Sequence, residues 1–191
     1  MNPSFVHLRV HSEYSLIDGI VRIKPLVAAV AEKNMPAVAV SDTANLFGLV
    51  KFYNAANNMG VKPVIACDVW IAPEKENQDP TPLVIIARTD AGYRNLSELL
   101  SQAYTEGQTG GKATLQKEWL AKQADGLIGL SAGKEGDIGK AIQANNLEEA
   151  SNLTRQWMTI FSGDFYLELH RTGREGEETY IFEAVQIAQA L

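Results

Sequence analysis

The residues best suited to chemistry cluster near the start of the chain. In FVHLRVHSEYSLIDG, residues 5–19, His7, Arg9 and His11 occupy alternate positions and Asp18 follows in the next loop. Asp42 ends the run PAVAVSD, Asp68 sits inside KPVIACDVWIA, and His170 lies near the end of FYLELHR. Imidazole and carboxylate ligands of this mix suit zinc, manganese or iron, and clustered metals activate water for phosphoester hydrolysis. Three readings of the opening stretch stand together: a metal site, the remains of one, or a strand with one polar face.

Each residue also has a plainer explanation. A lone histidine at a strand end is commonly a satisfied hydrogen-bonding group. Asp42, Thr43 and Asn45 form a good helix entry, where their side chains would cap exposed amides. Asp68 is harder to explain away, because a carboxylate between Cys67 and Val69 costs several kcal/mol unless it is paired. Arg9 opposes metal: a guanidinium keeps its charge at any ordinary pH and has no lone pair to offer a cation. It is suited instead to an ion pair with Asp42 or Asp68, which would fill the cleft. Ser12 and Ser15 lack a nucleophile arrangement, and no glycine-rich phosphate loop is present. Cys67, the single cysteine, reads as a small core residue.

The elements that must position these groups follow from periodicity. Val6, Leu8 and Val10 alternate with His7, Arg9 and His11, predicting a strand whose two histidines project together. Residues 21–35 read as a helix, 36–42 as a buried strand, 46–60 as a helix stopped by Gly60, and 62–72 as a strand. Strand 82–88, helix 91–107, a loop at 107–113, strand 127–133, two helical stretches, strand 165–171 and a last helix complete the series. Six strands mostly separated by helices predict a parallel α/β sheet, open or rolled into a barrel. In such folds functional side chains gather at the carboxyl ends of strands, where His11, Asp42, Asp68 and His170 are expected. The pattern reads as one domain over 1–191, and alternation calls for a further strand after the last helix, as in a truncated domain.

Composition narrows the function. The 191 residues are 46% hydrophobic, enough for a real core. A net charge of −6 offers no basic stripe for duplex DNA, favouring protein partners. One cysteine excludes a disulfide framework, the opening residues lack a secretory signal, and no apolar run approaches the roughly 20 residues that cross a bilayer. A cytoplasmic protein without membrane contact is expected. The polar loops 73–81 and 107–113 are candidate docking surfaces or simply solvated loops.

HLRVHSEYSLIDG, AVAVSDTANLFGLVKFYNAANNMGVKPVIACDVW, AGYRNLSELLSQAY and FYLELHRTG, in this order and spacing, resemble the PHP (polymerase and histidinol phosphatase) domains that open bacterial replicative DNA polymerase III alpha subunits. The resemblance runs along nearly the whole chain. It implies a distorted, TIM-like (βα)7 barrel, truncated here before its last strands. It also implies departures from the active pattern. The first-strand His-x-His reads Arg9-x-His11, while Asp18 matches a carboxylate ligand. The Asp-His of the second strand end reads Asp42-Thr43, and the usual Glu of the third strand is Asp68. Thr172 replaces a histidine, with His170 two positions away, and a final Asp-x-His pair would lie beyond Leu191.

These losses imply a vestigial metal cleft of His11, Asp18, Asp42 and Asp68, altered at Arg9, Thr43 and Thr172, with no cofactor expected beyond weak zinc or manganese. The expected role is a non-catalytic replisome module that supports the polymerase domain of the same chain and docks the proofreading exonuclease (epsilon) subunit. DNA contact, magnesium and the DNA-directed nucleotidyltransferase activity of DNA replication would belong to the parent chain. Two alternatives stay open: a residual phosphoesterase or pyrophosphatase using His11, Asp18, Asp42 and Asp68, and an unrelated α/β-barrel enzyme.

Overall fold

A computed structural model describes residues 5–74 and 78–191, so residues 75–77 of the candidate loop 73–81 lie outside the described residues. The fold is mixed α/β: among the described residues seven strands, β1 (Ala37–Val40), β2 (Lys62–Ile71), β3 (Thr81–Ala87), β4 (Gln108–Thr109), β5 (Lys112–Leu115), β6 (Leu127–Leu130) and β7 (Phe165–Tyr166), form one sheet in the order β4-β5-β2-β3-β6-β7, with β1 beside β2. The sheet path has two ends and does not close. By its internal packing the chain divides into two compact units, 1–69 with 84–87 and 70–83 with 88–191.

The first unit grows from helix α1 (Ile23–Glu32), strand β1 (Ala37–Val40), helix α2 (Leu49–Asn58) and most of strand β2 (Lys62–Ile71). Ile23, Val27 and Val30 recur at helical spacing and are buried on one stripe of α1. Pro25 falls in its first turn, where a missing N–H costs nothing. Both helices end in the same way. Asn34 and Gly60 adopt positive φ, and Met35 and Val61 donate back to the carbonyls of Val30 and Ala56 at 3.0 and 2.9 Å. This Schellman turn satisfies the last carbonyls and puts an apolar residue back on the core. Val38, Val40, Phe52 and Val61 close that core, with β1 and β2 parallel in the register Ala37↔Lys62 to Val40↔Ile65.

The second unit contains α3 (Asp90–Thr105), α4 (Lys117–Gln123), α5 (Asp137–Gln143), α6 (Leu147–Ile160), α7 (Glu177–Ala190) and strands β4 to β7. Its packing centres on Trp157, fully buried, whose ring meets Phe161 and Phe165 at centroid distances of 6.2 and 6.1 Å. The indole N–H donates to Asp137 at 2.9 Å, so the aromatic cluster leaves no buried donor there unsatisfied.

Three expectations need correction. The last strand does not run over 165–171: β7 stops at Tyr166, so His170 lies in the loop beyond it and not at a strand end. Residues 107–113 are not a plain loop: β4 (Gln108–Thr109) and β5 (Lys112–Leu115) form an antiparallel hairpin, and β5 then pairs in parallel with β2. Gly110 and Gly111 both adopt positive φ, which a two-residue hairpin turn requires. Residues 6–11 are not a full strand either. They join β1 through one bridge, His7 to Val38, and through amides of Ala39 and Ser41 that donate to His7 and Val10. Helix α4, between β5 and β6 (Leu127–Leu130), was missed, being short and mostly polar.

Close backbone approach gives the fold a testable constraint. A Cβ at Gly92, in the first turn of α3, would stand 1.9 Å from the Gly126 carbonyl oxygen. Alanine ordinarily favours a helix over glycine by about 1 kcal/mol. Here the clash reverses that sign, and Gly92→Ala is expected to lose about 1–3 kcal/mol in urea unfolding. An unchanged or higher midpoint would refute the contact.

Candidate functional site

The centre of the site is the carboxylate of Asp68. It stands within β2 rather than at its end, is only 4% exposed, and is flanked by buried Cys67 and Val69. Arg9 reaches it twice, donating from Nε at 2.9 Å and from Nη2 at 2.6 Å to the same oxygen, Oδ2. Nε2 of His11 lies 2.9 Å from that oxygen as well. The second carboxylate oxygen, Oδ1, is buried and accepts no hydrogen bond from the described residues. Of the two partners open to Arg9, the guanidinium therefore takes Asp68 and not Asp42, through one oxygen instead of two.

His11 bridges two acids. Its Nδ1 stands 3.0 Å from Oδ2 of Asp18, so the loop after the opening segment folds back as expected. Both ring nitrogens stand within hydrogen-bonding distance of carboxylate oxygens, an arrangement that favours the protonated ring. Its pKa is raised accordingly, first by the hydrogen bond to Asp68 and then by the charges of Asp68 and Asp18, against burial and the Arg9 charge.

Asp42 has a different task. Its Oδ1 accepts from the Ser12 amide and the Ser15 hydroxyl at 2.7 and 2.8 Å, and its Oδ2 from the Ser12 hydroxyl at 2.8 Å. Ser15 in turn accepts from the Thr43 amide, at 3.2 Å. Asp42 is thus the buried anchor of loop 12–15. It does not cap α2, which begins only at Leu49 with Gly48 before it; Asn45 instead accepts from the Phe47 amide. Thr43 pairs through its backbone with Asp68. Cys67 is fully buried, its thiol donates to the Asp42 carbonyl, and burial pushes its pKa up, as befits a core residue.

The remaining candidates do not join this cluster. His7 is exposed, its ring edge-on to Phe5 at 4.8 Å, and the two histidines of the opening stretch do not act together. His170 and Thr172 belong to the second unit. There, Nε2 of His170 lies 2.8 Å from Glu168, and Thr172 bonds Glu177 through both hydroxyl and amide. Glu177, which sequence reasoning passed over, also accepts from the Gly173 amide and closes loop 172–177. These bonds, the Thr172 hydroxyl first, hold its carboxyl down at about 2. The only sequence signal was an acid at the first position of a helix that follows two glycines.

Because the folded-state pKa of His11 lies above its ordinary value, its stabilising contribution is complete below about pH 6.5 and fades as pH rises through the raised value. The stability difference between the native chain and His11→Gln should therefore shrink across that interval. In an NMR titration, Asp68→Asn should lower the His11 pKa; an unchanged value would contradict the assigned bond.

Comparison with known proteins follows the same outline. The PHP domain family model matches residues 7–172. DNA polymerase III subunit alpha of Pseudomonas aeruginosa is 46% identical over 188 residues, covering 98% of this chain and 16% of that protein. The Escherichia coli K12 subunit is 40% identical over the same share of each. The chain thus spans about a sixth of the length of these curated relatives. A solved Bifidobacterium adolescentis protein, described as a candidate metal-dependent phosphoesterase, superposes with a TM-score of 0.54 at 11% identity, over 98% of this chain and 86% of its own. That likeness concerns the fold alone. With the family model matched from the opening strand segment through Thr172, the chain belongs to the PHP domain family.

Proposed function

We propose that this chain is the amino-terminal PHP domain of a bacterial replicative DNA polymerase III alpha subunit. It acts there as a structural module that binds no catalytic metal, supports the polymerase domain of the same chain and docks the proofreading exonuclease subunit. Polymerisation, magnesium and DNA contact belong to the rest of such a chain, which works in the cytoplasm. Identity of 46% and 40% along 98% of the sequence supports the assignment to this branch of the family. On the same reading the open sheet is part of a distorted (βα)7 barrel, continued by strands after Leu191.

The observation that carries the metal-free reading is the convergence of Arg9 and His11 on Oδ2 of Asp68. A metal ligand must present a lone pair, and affinity depends on ligands being deprotonated. The ligand row here presents a permanent cation, and both nitrogens of His11 are already engaged by carboxylates. Asp42 spends its oxygens on Ser12 and Ser15. The residues do not fit a multinuclear centre. A net charge of −6 favours protein partners over DNA for this module.

A second reading, a residual metal-dependent phosphoesterase or pyrophosphatase, draws on one observation: Oδ1 of Asp68 is buried with no hydrogen-bond donor among the described residues. Metal content separates the two. After incubation with zinc and manganese and removal of loose ions, mass spectrometry should find far less than one ion per chain, both here and in a longer chain carrying the following strands. Near-stoichiometric metal, with phosphoester or pyrophosphate hydrolysis abolished by Asp68→Ala, would sink the structural reading and establish the second.

A further inference from the structure

Six non-glycine residues among those described adopt positive φ. Three have an ordinary reason: Asn34, Asn145 and Ser162 stand two positions beyond the ends of α1, α5 and α6, where helices commonly close in this way. Ala132 lies in the second unit, next to the turn Gly133–Glu135. Leu16 and Ala44 remain, both in the first unit, and neither follows an α-helix.

Leucine and alanine are poor choices for such positions. At positive φ a Cβ crowds the neighbouring carbonyl oxygen, which costs a non-glycine residue about tenfold or more in population. Leu16, at φ 59° and ψ −66°, centres a tight three-residue turn closed by the Ile17 amide on the Ser15 carbonyl at 2.8 Å. Its side chain is 77% exposed, so packing returns little. A loop that needed only to stay closed would be better served by glycine.

One hydroxyl stands between the two strained residues. Ser15 Oγ donates to Oδ1 of Asp42 at 2.8 Å and accepts from the Thr43 amide at 3.2 Å. Leu16 is the next residue after Ser15, and Ala44 the next after Thr43. Ala44 is fixed from its other side, its amide donating to the Asp68 carbonyl at 2.7 Å. Further along the loop, Gly19 closes against Ser12 so tightly that a Cβ would stand 1.7 Å from the Ser12 carbonyl oxygen, and Asp18 meets His11 at 3.0 Å. Asp18 is 55% exposed, and an exposed pair favours one state by at most about fivefold. That is too little to offset the strain at Leu16. The buried bonds to the charged Asp42 are the stronger hold.

We propose that Ser15 is a latch on a loop held under strain. Bound to Asp42 and Thr43, it keeps Leu16 and Ala44 in conformations they would otherwise leave. Once it is released, both residues relax, loop 12–21 opens about Leu16, and Asp18 withdraws from His11. The buried acid, Asp42, thereby governs whether the outer acid, Asp18, reaches the cluster at Asp68. The device is built from the chain's own bonds and is independent of the metal-free reading.

The test uses the full-length protein that carries this sequence and follows amide exchange by mass spectrometry of fragmented peptides, each rate corrected for intrinsic exchange. The amides of Glu13, Ile17 and Ala44 report on the loops, and that of Ala39, bonded to the His7 carbonyl, is the reference in the same unit. In Ser15→Ala the three loop amides should exchange at least about tenfold faster while Ala39 keeps its rate. Leu16→Gly retains every latch bond and tests the strain alone: Glu13 and Ile17 should exchange at least about threefold more slowly. Combined with Ser15→Ala, the glycine should bring no such gain, because the strain is already released. Acceleration of Ala39 together with the loop amides would overturn the latch, showing that Ser15 supports the unit as a whole. So would a Leu16→Gly chain that exchanges as fast as the native one, or a gain from glycine that persists without Ser15.

Discussion

A carboxylate buried within a hydrophobic strand must be paired, and the first unit is arranged around meeting that demand at Asp68. Removing one member of a buried pair typically costs about 3–5 kcal/mol, because the other charge is stranded. Two basic side chains answer here, both from the segment 9–11, and that segment joins β1 through few backbone bonds. The side chains therefore do for residues 6–11 what a ladder would do for a full strand. They also set its register, since only one phase of the alternation turns Arg9 and His11 toward β2.

The second anchor divides the work. Asp42 holds the Ser12 amide and two serine hydroxyls, fixing the turn 12–15 that returns Asp18 to His11. Hydrogen bonds to a charged acceptor are worth about 1.5–3 kcal/mol each, more than neutral ones. With both acids engaged in this way, the polar interior of the unit is a network of long-range bonds, its members separated by up to 59 residues in sequence. It joins the opening segment to β1 and β2 where backbone pairing is sparse.

This distribution explains what the sequence could disclose. The α/β alternation, the stop at Gly60 and the need of Asp68 for a partner rest on local periodicity, local turn chemistry and a single desolvation argument, so each was legible. The hairpin at Gly110–Gly111 was not, because a strand of two residues has no period to recognise. The grip of Asp42 on Ser12 and Ser15 was hidden for another reason. It closes across about 30 residues, and nothing in a lone serine says which distant carboxylate it will meet. Glu177 was overlooked because an acid opening a helix is ordinary, and its partners Thr172 and Gly173 lie in an irregular loop.

Two of the acids that would hold a cation, Asp68 and Asp18, are held by basic side chains of the chain itself, and on the proposed reading this decides how the domain behaves. A divalent ion would bring positive charge to these carboxylates; the Arg9 guanidinium brings it permanently, and His11 adds to it when its ring is protonated. Their dependence on conditions differs. A metal-held site needs deprotonated ligands and a supply of the ion, and it weakens as pH falls. A site held by Arg9 and His11 needs no supply. Arg9 stays charged throughout, so only the His11 share weakens, and it does so as pH rises. A carboxylate paired in this way does not depend on a bound ion for its partner.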